Sequence, residues 1–183
     1  KAIVDHLRSA YYRLAGTIDF SSVFDNNSQT YTNTFSGIGT QSRPFTGNFD
    51  GRGYTILMSR GNNTNSVADG YGLFKYIQGA TISNLTLEST GVDVANGEPK
   101  VNTISLQYGS TDENILDGSY NGGVAAIVAG EDNYISNVRT NISFQDMTYK
   151  NGEDKTHEVY AGGLVGAVRA GTVILQNMPE NFA

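Results

Sequence analysis

The sequence predicts an all-β domain assembled from stacked repeats, and three observations carry that expectation. Its 183 residues include 22 glycines and 11 tyrosines but three prolines, and together with abundant Thr, Ser and Asn they favour strands and tight turns over helices. The stretch 69–90, DGYGLFKYIQGATISNLTLEST, joins a Gly-Leu-Phe step, a Gly-Ala turn and the segment Ile-Ser-Asn-Leu-Thr-Leu. This arrangement returns in altered form as GGVAAIVAGEDNYISNVRTNISF at 122–144 and GGLVGAVRAGTVILQNM at 162–178. A chain of this length buries a sizeable core as one domain, so 1–183 is read as a single unit.

Repetition of this kind has a physical reason. A unit of two or three short strands cannot bury its apolar face alone, whereas stacking each unit on the previous one pairs the backbone groups and closes a continuous core. The glycines at 72, 123 and 163 are 51 and 40 residues apart, which puts loops of unequal length between units. Inside the units the spacing is tighter: 12 residues from Gly72 to Asn84, and 14 from Gly123 to Asn137 and from Gly163 to Asn177. Ile82, Leu85 and Leu87 fall on one side only if the strand bends at Asn84. An asparagine repeated at such a bend, as Asn84, Asn137 and Asn177, can stack its amide on its neighbour's as a structural ladder.

Taken in order, residues 1–10 place Ile3, Leu7 and Ala10 at helical spacing with Val4 beside them. A short amphipathic helix follows, either covering the open end of a sheet or acting as a linker. Residues 11–21 alternate Tyr12, Leu14, Ile18 and Phe20 around Gly16, the pattern of a strand that kinks at glycine. Residues 22–43 turn polar and read as a surface loop. In PFTGNFDGRGYTI at 44–56, Phe45, Phe49, Tyr54 and Ile56 are core candidates. The Gly51-Arg52-Gly53 run between them reads as a hairpin turn, not a phosphate cradle, because no helix pattern follows it. The long polar segment 91–119 is expected to hold strands around Ile104, Leu106 and Tyr108 and a projecting hairpin or loop.

The order of YYRLAGTIDFS, PFTGNFDGRGYTI, YGLFKYIQGATISNLTL and GGLVGAVRAGTV resembles the GLUG-repeat proteins, bacterial surface and secreted proteins. The resemblance implies a right-handed parallel β-helix, or β-solenoid, with irregular loops. It spans nearly the whole chain apart from 22–34 and 91–119. Departures are Lys75 in place of the last glycine of Gly-Leu-Phe-Gly, Gly-Val-Ala-Ala in the second copy, and Leu57-Met58 where Ser-Asn is usual. The asparagine ladder is accordingly expected to be missing at that first level. Family members include adhesin-like proteins, and similar repeats accompany immunoglobulin-A-cleaving metallopeptidases beside a separate catalytic domain. The resemblance therefore implies an extracellular, cell-surface or secreted scaffold without implying catalysis. Because the chain begins at its first motif and stops at its last, a module of a longer extracellular protein is expected.

Chemistry is sparse in the sequence. A net charge of −6, with twelve Lys and Arg spread singly, gives no footprint for a phosphate backbone and disfavours nucleic acid. No apolar run approaches the roughly 20 residues of a membrane span, and no signal peptide opens the chain. Cysteines are absent, so disulfides and Cys-ligated zinc are excluded. A β-helix glycosidase needs two carboxylates across the scissile bond, and a lyase needs a base with a cation beside a uronate. The acids Asp50, Asp93, Asp112, Glu113, Asp117, Glu131 and Asp132 sit mostly beside Gly or Asn, where solvated turns are expected instead. Asp112, Glu113 and Asp117 are calcium candidates, without the EF-hand spacing and with an ordinary acidic loop as the alternative. His6 and His157 lack a partner at zinc-binding spacing. Asn26, Asn62, Asn84 and Asn141 head Asn-X-Ser/Thr sequons, which arise by chance in such a composition.

Tyrosines are scattered over every unit and serve either in the core and rim or as a contact surface for protein or sugar. The expectation is a non-catalytic adhesin or scaffold module, with no cofactor beyond calcium at most. Its partners would be a host or cell-surface protein or glycan, neighbouring domains, or another subunit engaged through strand edges. The alternatives are a carbohydrate-active β-helix enzyme and the ancillary domain of a secreted metallopeptidase.

Overall fold

A computed structural model describes residues 6–20, 24–25, 30–31, 37–58, 70–89, 103–108, 119–149 and 159–179. Among them are fourteen strands and one helical turn at 6–8. The architecture is all-β, and every pairing between named strands is parallel except one short hairpin.

The main sheet runs in the order β1 (Tyr11–Arg13), β5 (Asn48–Asp50), β8 (Thr81–Ser89), β11 (Ala125–Asn141) and β14 (Val165–Gln176). Its register is continuous: Tyr12 lies opposite Phe49, Phe49 opposite Ile82, Ile82 opposite Ile135, and Ile135 opposite Leu175. Two further rows flank it. Along one, β2 (Ile18–Asp19) pairs with β6 (Thr55–Met58), and β6 with the second half of β8. Along the other, β7 (Phe74–Gln78) pairs with the first half of β11, which pairs in turn with β14. Ile38 and Phe45 extend this second row by single pairings with Phe74 and Ile77. β10 (Ser119–Gly122) and β13 (Val159–Gly162) make a separate parallel pair, as do β9 (Thr103–Tyr108) and β12 (Ser143–Tyr149).

The register explains the unequal repeat spacing. Phe74 lies opposite Ala125 and Ala125 opposite Val165, the same steps that separate the glycines. Gln78 is opposite Ala129, yet Thr81 is opposite Tyr134, so the later unit holds two more residues between its strand halves. They are absorbed at Gly130–Asn133, where Gly130 and Asp132 both have positive φ and the pairing shifts.

Apolar side chains from successive strands pile onto one another. Ile77, Ile82, Leu87, Val124, Val128, Ile135 and Val138 are fully buried, and Leu85 nearly so. The bend that brings Ile82, Leu85 and Leu87 to one side occurs at Asn84, whose φ is 53°. At the other end, Phe45 and Phe74 meet at 4.8 Å and Phe49 meets Phe74 edge-on at 5.6 Å. Leu14 is buried between β1 and β2, while Tyr12, Ile18 and Phe20 pack against the same core.

Two expectations need correction, and a third falls partly outside the described residues. Gly51-Arg52-Gly53 is a turn with positive φ at Arg52 and Gly53, but not a hairpin. Its flanking strands β5 and β6 do not pair with each other; each lies parallel to a different half of β8. The polar stretch 22–43 is not loop throughout, since β3 (Phe24–Asp25) and β4 (Thr30–Tyr31) form the antiparallel hairpin and Ile38 joins a strand row. Of the N-terminal helix only the turn at 6–8 falls among the described residues, held to the next segment by Tyr12 Oη donating to the Leu7 carbonyl.

Candidate functional site

A continuous polar line follows a corner that falls within β8 and β11 and directly after β14. Asn84, Asn137 and Asn177 occupy this corner with φ of 53°, 49° and 48°. Asparagine tolerates this left-handed conformation because its short polar side chain satisfies nearby groups. Asn137 Nδ2 donates to Asn84 Oδ1 at 2.9 Å, and Asn84 Nδ2 donates to Asp50 Oδ1 at 3.0 Å. One level earlier the corner is made by Gly51, so Asp50 receives the amide in place of an asparagine. Asp50 Oδ1 also accepts the Arg52 backbone N–H at 2.9 Å, and Tyr11 Oη donates to Asp50 Oδ2. These donors, Asn84 foremost, hold the Asp50 carboxyl below its ordinary range. The line Tyr11, Asp50, Asn84, Asn137 thus links four segments far apart in sequence.

Two buried amides were not singled out in the sequence. Asn121 is fully buried, accepting the Tyr71 backbone N–H on Oδ1 at 3.1 Å and donating to the Tyr160 carbonyl at 3.1 Å. Asn133, also fully buried, accepts from the Ala80 backbone N–H. Its Nδ2 faces the carbonyls of Ala129 and Gly130 at 2.9 Å each and of Thr172 at 3.1 Å. Each amide therefore ties together three levels of the chain. A faint signal existed, since Asn121 directly precedes the repeated Gly-Gly and Asn133 sits where the second repeat is longer than the first. Their partners at Tyr71, Ala80, Tyr160 and Thr172 lie 39 to 53 residues away and become visible only with the register.

The tyrosines divide. Tyr71 and Tyr76 are buried, and burial pushes the Tyr71 hydroxyl pKa well up. Tyr11 and Tyr160 are exposed. Tyr120 and Tyr160, opposite each other on β10 and β13, stack face to face at 5.1 Å with rings 7° apart. Arg169 lies over the Tyr120 ring at 4.5 Å, so the outer surface carries a short aromatic and cationic stack. Near the N-terminal turn, Leu7, Arg8, Tyr12, Ile38, Gly39, Phe45 and Phe49 line an apolar recess of about 330 Å³.

The candidate calcium residues Asp112, Glu113 and Asp117 lie outside the described residues, as do Asp93, His157, Asn26 and Asn62. Glu131 and Asp132 are exposed at the irregularity in β11, and His6 is exposed in the helical turn. Among the described residues no three His, Asp or Glu side chains gather as a metal site. No helix there is long and apolar enough to cross a membrane. Comparisons with protein-family models, with curated proteins and with solved structures find no match.

Proposed function

We propose that this domain is a right-handed parallel β-helix of the GLUG-repeat kind, working as a non-catalytic adhesin or scaffold module of an extracellular bacterial protein. The carrying observation is the continuous register of apolar columns, Phe49–Ile82–Ile135–Leu175 and Phe74–Ala125–Val165, beside a corner repeatedly occupied by left-handed Asn. Such stacking makes a rod whose loops and outer face are free to vary, which suits display and spacing. The stack of Tyr120, Tyr160 and Arg169 is the surface we assign to contact with a glycan or a cell-surface protein.

Two measurements test this reading. Thr86 and Arg139 face each other across β8 and β11. With Thr86→Cys and Arg139→Cys combined in the cysteine-free chain, oxidation should close a disulfide inside the monomer, and failure to do so would refute the stacking. Incubation with a panel of polysaccharides should show retention without bond cleavage; release of reducing ends or unsaturated uronates would establish the enzyme alternative instead.

A further inference from the structure

The chain holds Asn-Gly pairs at 96, 121 and 151, and of these the pair at 121 falls among the described residues. Asparagine is thermolabile, most of all before glycine, which has no side chain to hinder its backbone nitrogen. That nitrogen attacks the Asn Cγ, ammonia leaves, and the resulting succinimide takes up water. Ring opening at one carbonyl gives aspartate; at the other it gives isoaspartate, whose main chain runs through Cβ. One water enters and one ammonia departs, with no other reactant.

The fold holds both reacting groups apart. Asn121 is fully buried in β10, with its carboxamide fixed at one end by the Tyr71 N–H and at the other by the Tyr160 carbonyl, each at 3.1 Å. The nucleophile is fixed as well, since the Gly122 N–H donates to the Tyr71 carbonyl at 2.9 Å. An extended parallel strand has ψ of about +115°, which turns the following nitrogen away from the side chain, so ring closure needs the backbone to rotate. Rotation would break the pairing of Asn121 with Tyr71 on one side and with Ala161 on the other.

Packing dictates both residues of the pair. At Gly122 a β-carbon would lie 2.2 Å from the Ala125 carbonyl oxygen, and at the matching Gly162 one would lie 2.1 Å from the Val165 carbonyl oxygen. Glycine is therefore required at both levels. At 121 the amide joins the levels of Tyr71 and Tyr160, whereas the matching residue of the next level is Ala161. The products satisfy neither demand. Aspartate keeps an acceptor for the Tyr71 N–H, but at neutral pH it sets a carboxylate against the Tyr160 carbonyl in a buried site. Isoaspartate adds an atom to the main chain of β10, which displaces Gly122 from its register with Gly162.

We propose that Asn121–Gly122 is a conditional deamidation site that works as a one-way latch. It is inert while the levels at 71, 121 and 161 are paired, it converts once they separate, and the product prevents them from pairing again. Local opening, otherwise reversible, is thereby made irreversible, and the lifetime of the domain is set by how often these levels part.

The test incubates the full chain at pH 8, in buffer and in urea strong enough to unfold it, with peptide mass spectrometry resolving residue 121 from 96 and 151. Conversion at 121 should be at least about tenfold slower in buffer than in urea; equal rates would overturn the proposal. When urea is removed, chains still carrying Asn121 should recover the native circular dichroism spectrum. Chains with aspartate or isoaspartate at 121 should collect in the unfolded fraction on size-exclusion chromatography, and an equal share of conversion at 121 in the folded fraction would refute the latch. Asn121→Asp, made directly, is the second check. It should unfold at lower urea than the wild type at pH 7, and an unchanged midpoint would also overturn the proposal.

Discussion

Asn137 gives its side-chain amide to Asn84 at 2.9 Å, and both residues hold the same left-handed backbone at the same corner of adjacent strands. Asn84 passes the chain of bonds on to Asp50. Replacing Asn84 with alanine removes both side-chain bonds and leaves a β-carbon residue in a conformation that only Gly, Asn and Asp adopt readily. We expect Asn84→Ala to lower unfolding free energy by about 2 kcal/mol, from two partly exposed hydrogen bonds and the backbone strain. Asn84→Gly, which relieves the strain, should cost about half as much. Urea titration of the three proteins checks the order.

The bend at Asn84 was legible in the sequence because Ile82, Leu85 and Leu87 cannot share a side without it. The all-β class was legible for a similar reason: the repeat of apolar triplets has a local signature. What stayed hidden was anything set by register between units. The roles of Asn121 and Asn133 depend on groups at 71, 80, 160 and 172, and loops of unequal length conceal which residues become neighbours. The turn at 51–53 misled because glycines flanking an arginine suit a hairpin and a corner equally well. Only the pairing of both flanking strands with β8 distinguishes them.

Asp50 supplies a pH dependence. Its carboxyl is held below the ordinary 3.8 by Asn84, the Arg52 N–H and Tyr11, so the ionised form is favoured in the fold. That stabilisation is fully present above 3.8 and is lost as pH falls through the lowered folded value. Asp50 is half-buried with its carboxylate still reached by water, so the effect is small and partly screened by salt. Thermal unfolding from pH 6 down to pH 2.5 should show a steeper loss for the wild type than for Asp50→Asn, and parallel curves would contradict the assignment.

Asn133 should show the opposite slope when made acidic. Its amide hydrogens face three carbonyls, and a carboxylate at 133 would set negative charge against them inside a buried site. Protonation lets the acid donate to one of those oxygens, so the folded pKa of the new group must rise. Asn133→Asp is thus expected to be strongly destabilised at pH 7 and to regain stability as pH falls, the reverse of the wild type. Asn133→Ala, which leaves the Ala80 N–H and the carbonyls unanswered, should cost about 3 kcal/mol at any pH. Chemical denaturation at pH 7 and pH 4.5 separates the two.

Three glycines divide the reasons a chain uses glycine, and substituting each with alanine tests the packing between levels. At Gly171 a β-carbon would lie 1.9 Å from the Gly130 carbonyl oxygen, a backbone atom of the neighbouring strand that cannot swing away. The strands would have to separate there, so Gly171→Ala is expected to cost about 3 kcal/mol or more. Gly53 has nothing within 4 Å of that position but a φ of 79°, so Gly53→Ala should cost about 1 kcal/mol from backbone strain alone. Gly16 has neither neighbour nor positive φ, and Gly16→Ala should leave stability within about 0.5 kcal/mol or raise it slightly by restricting the unfolded chain. The decisive comparison is Gly171 against Gly53 in urea unfolding. Equal losses would mean that the approach of β14 to β11 is looser than the close pairing of Gly130 with Gly171 requires.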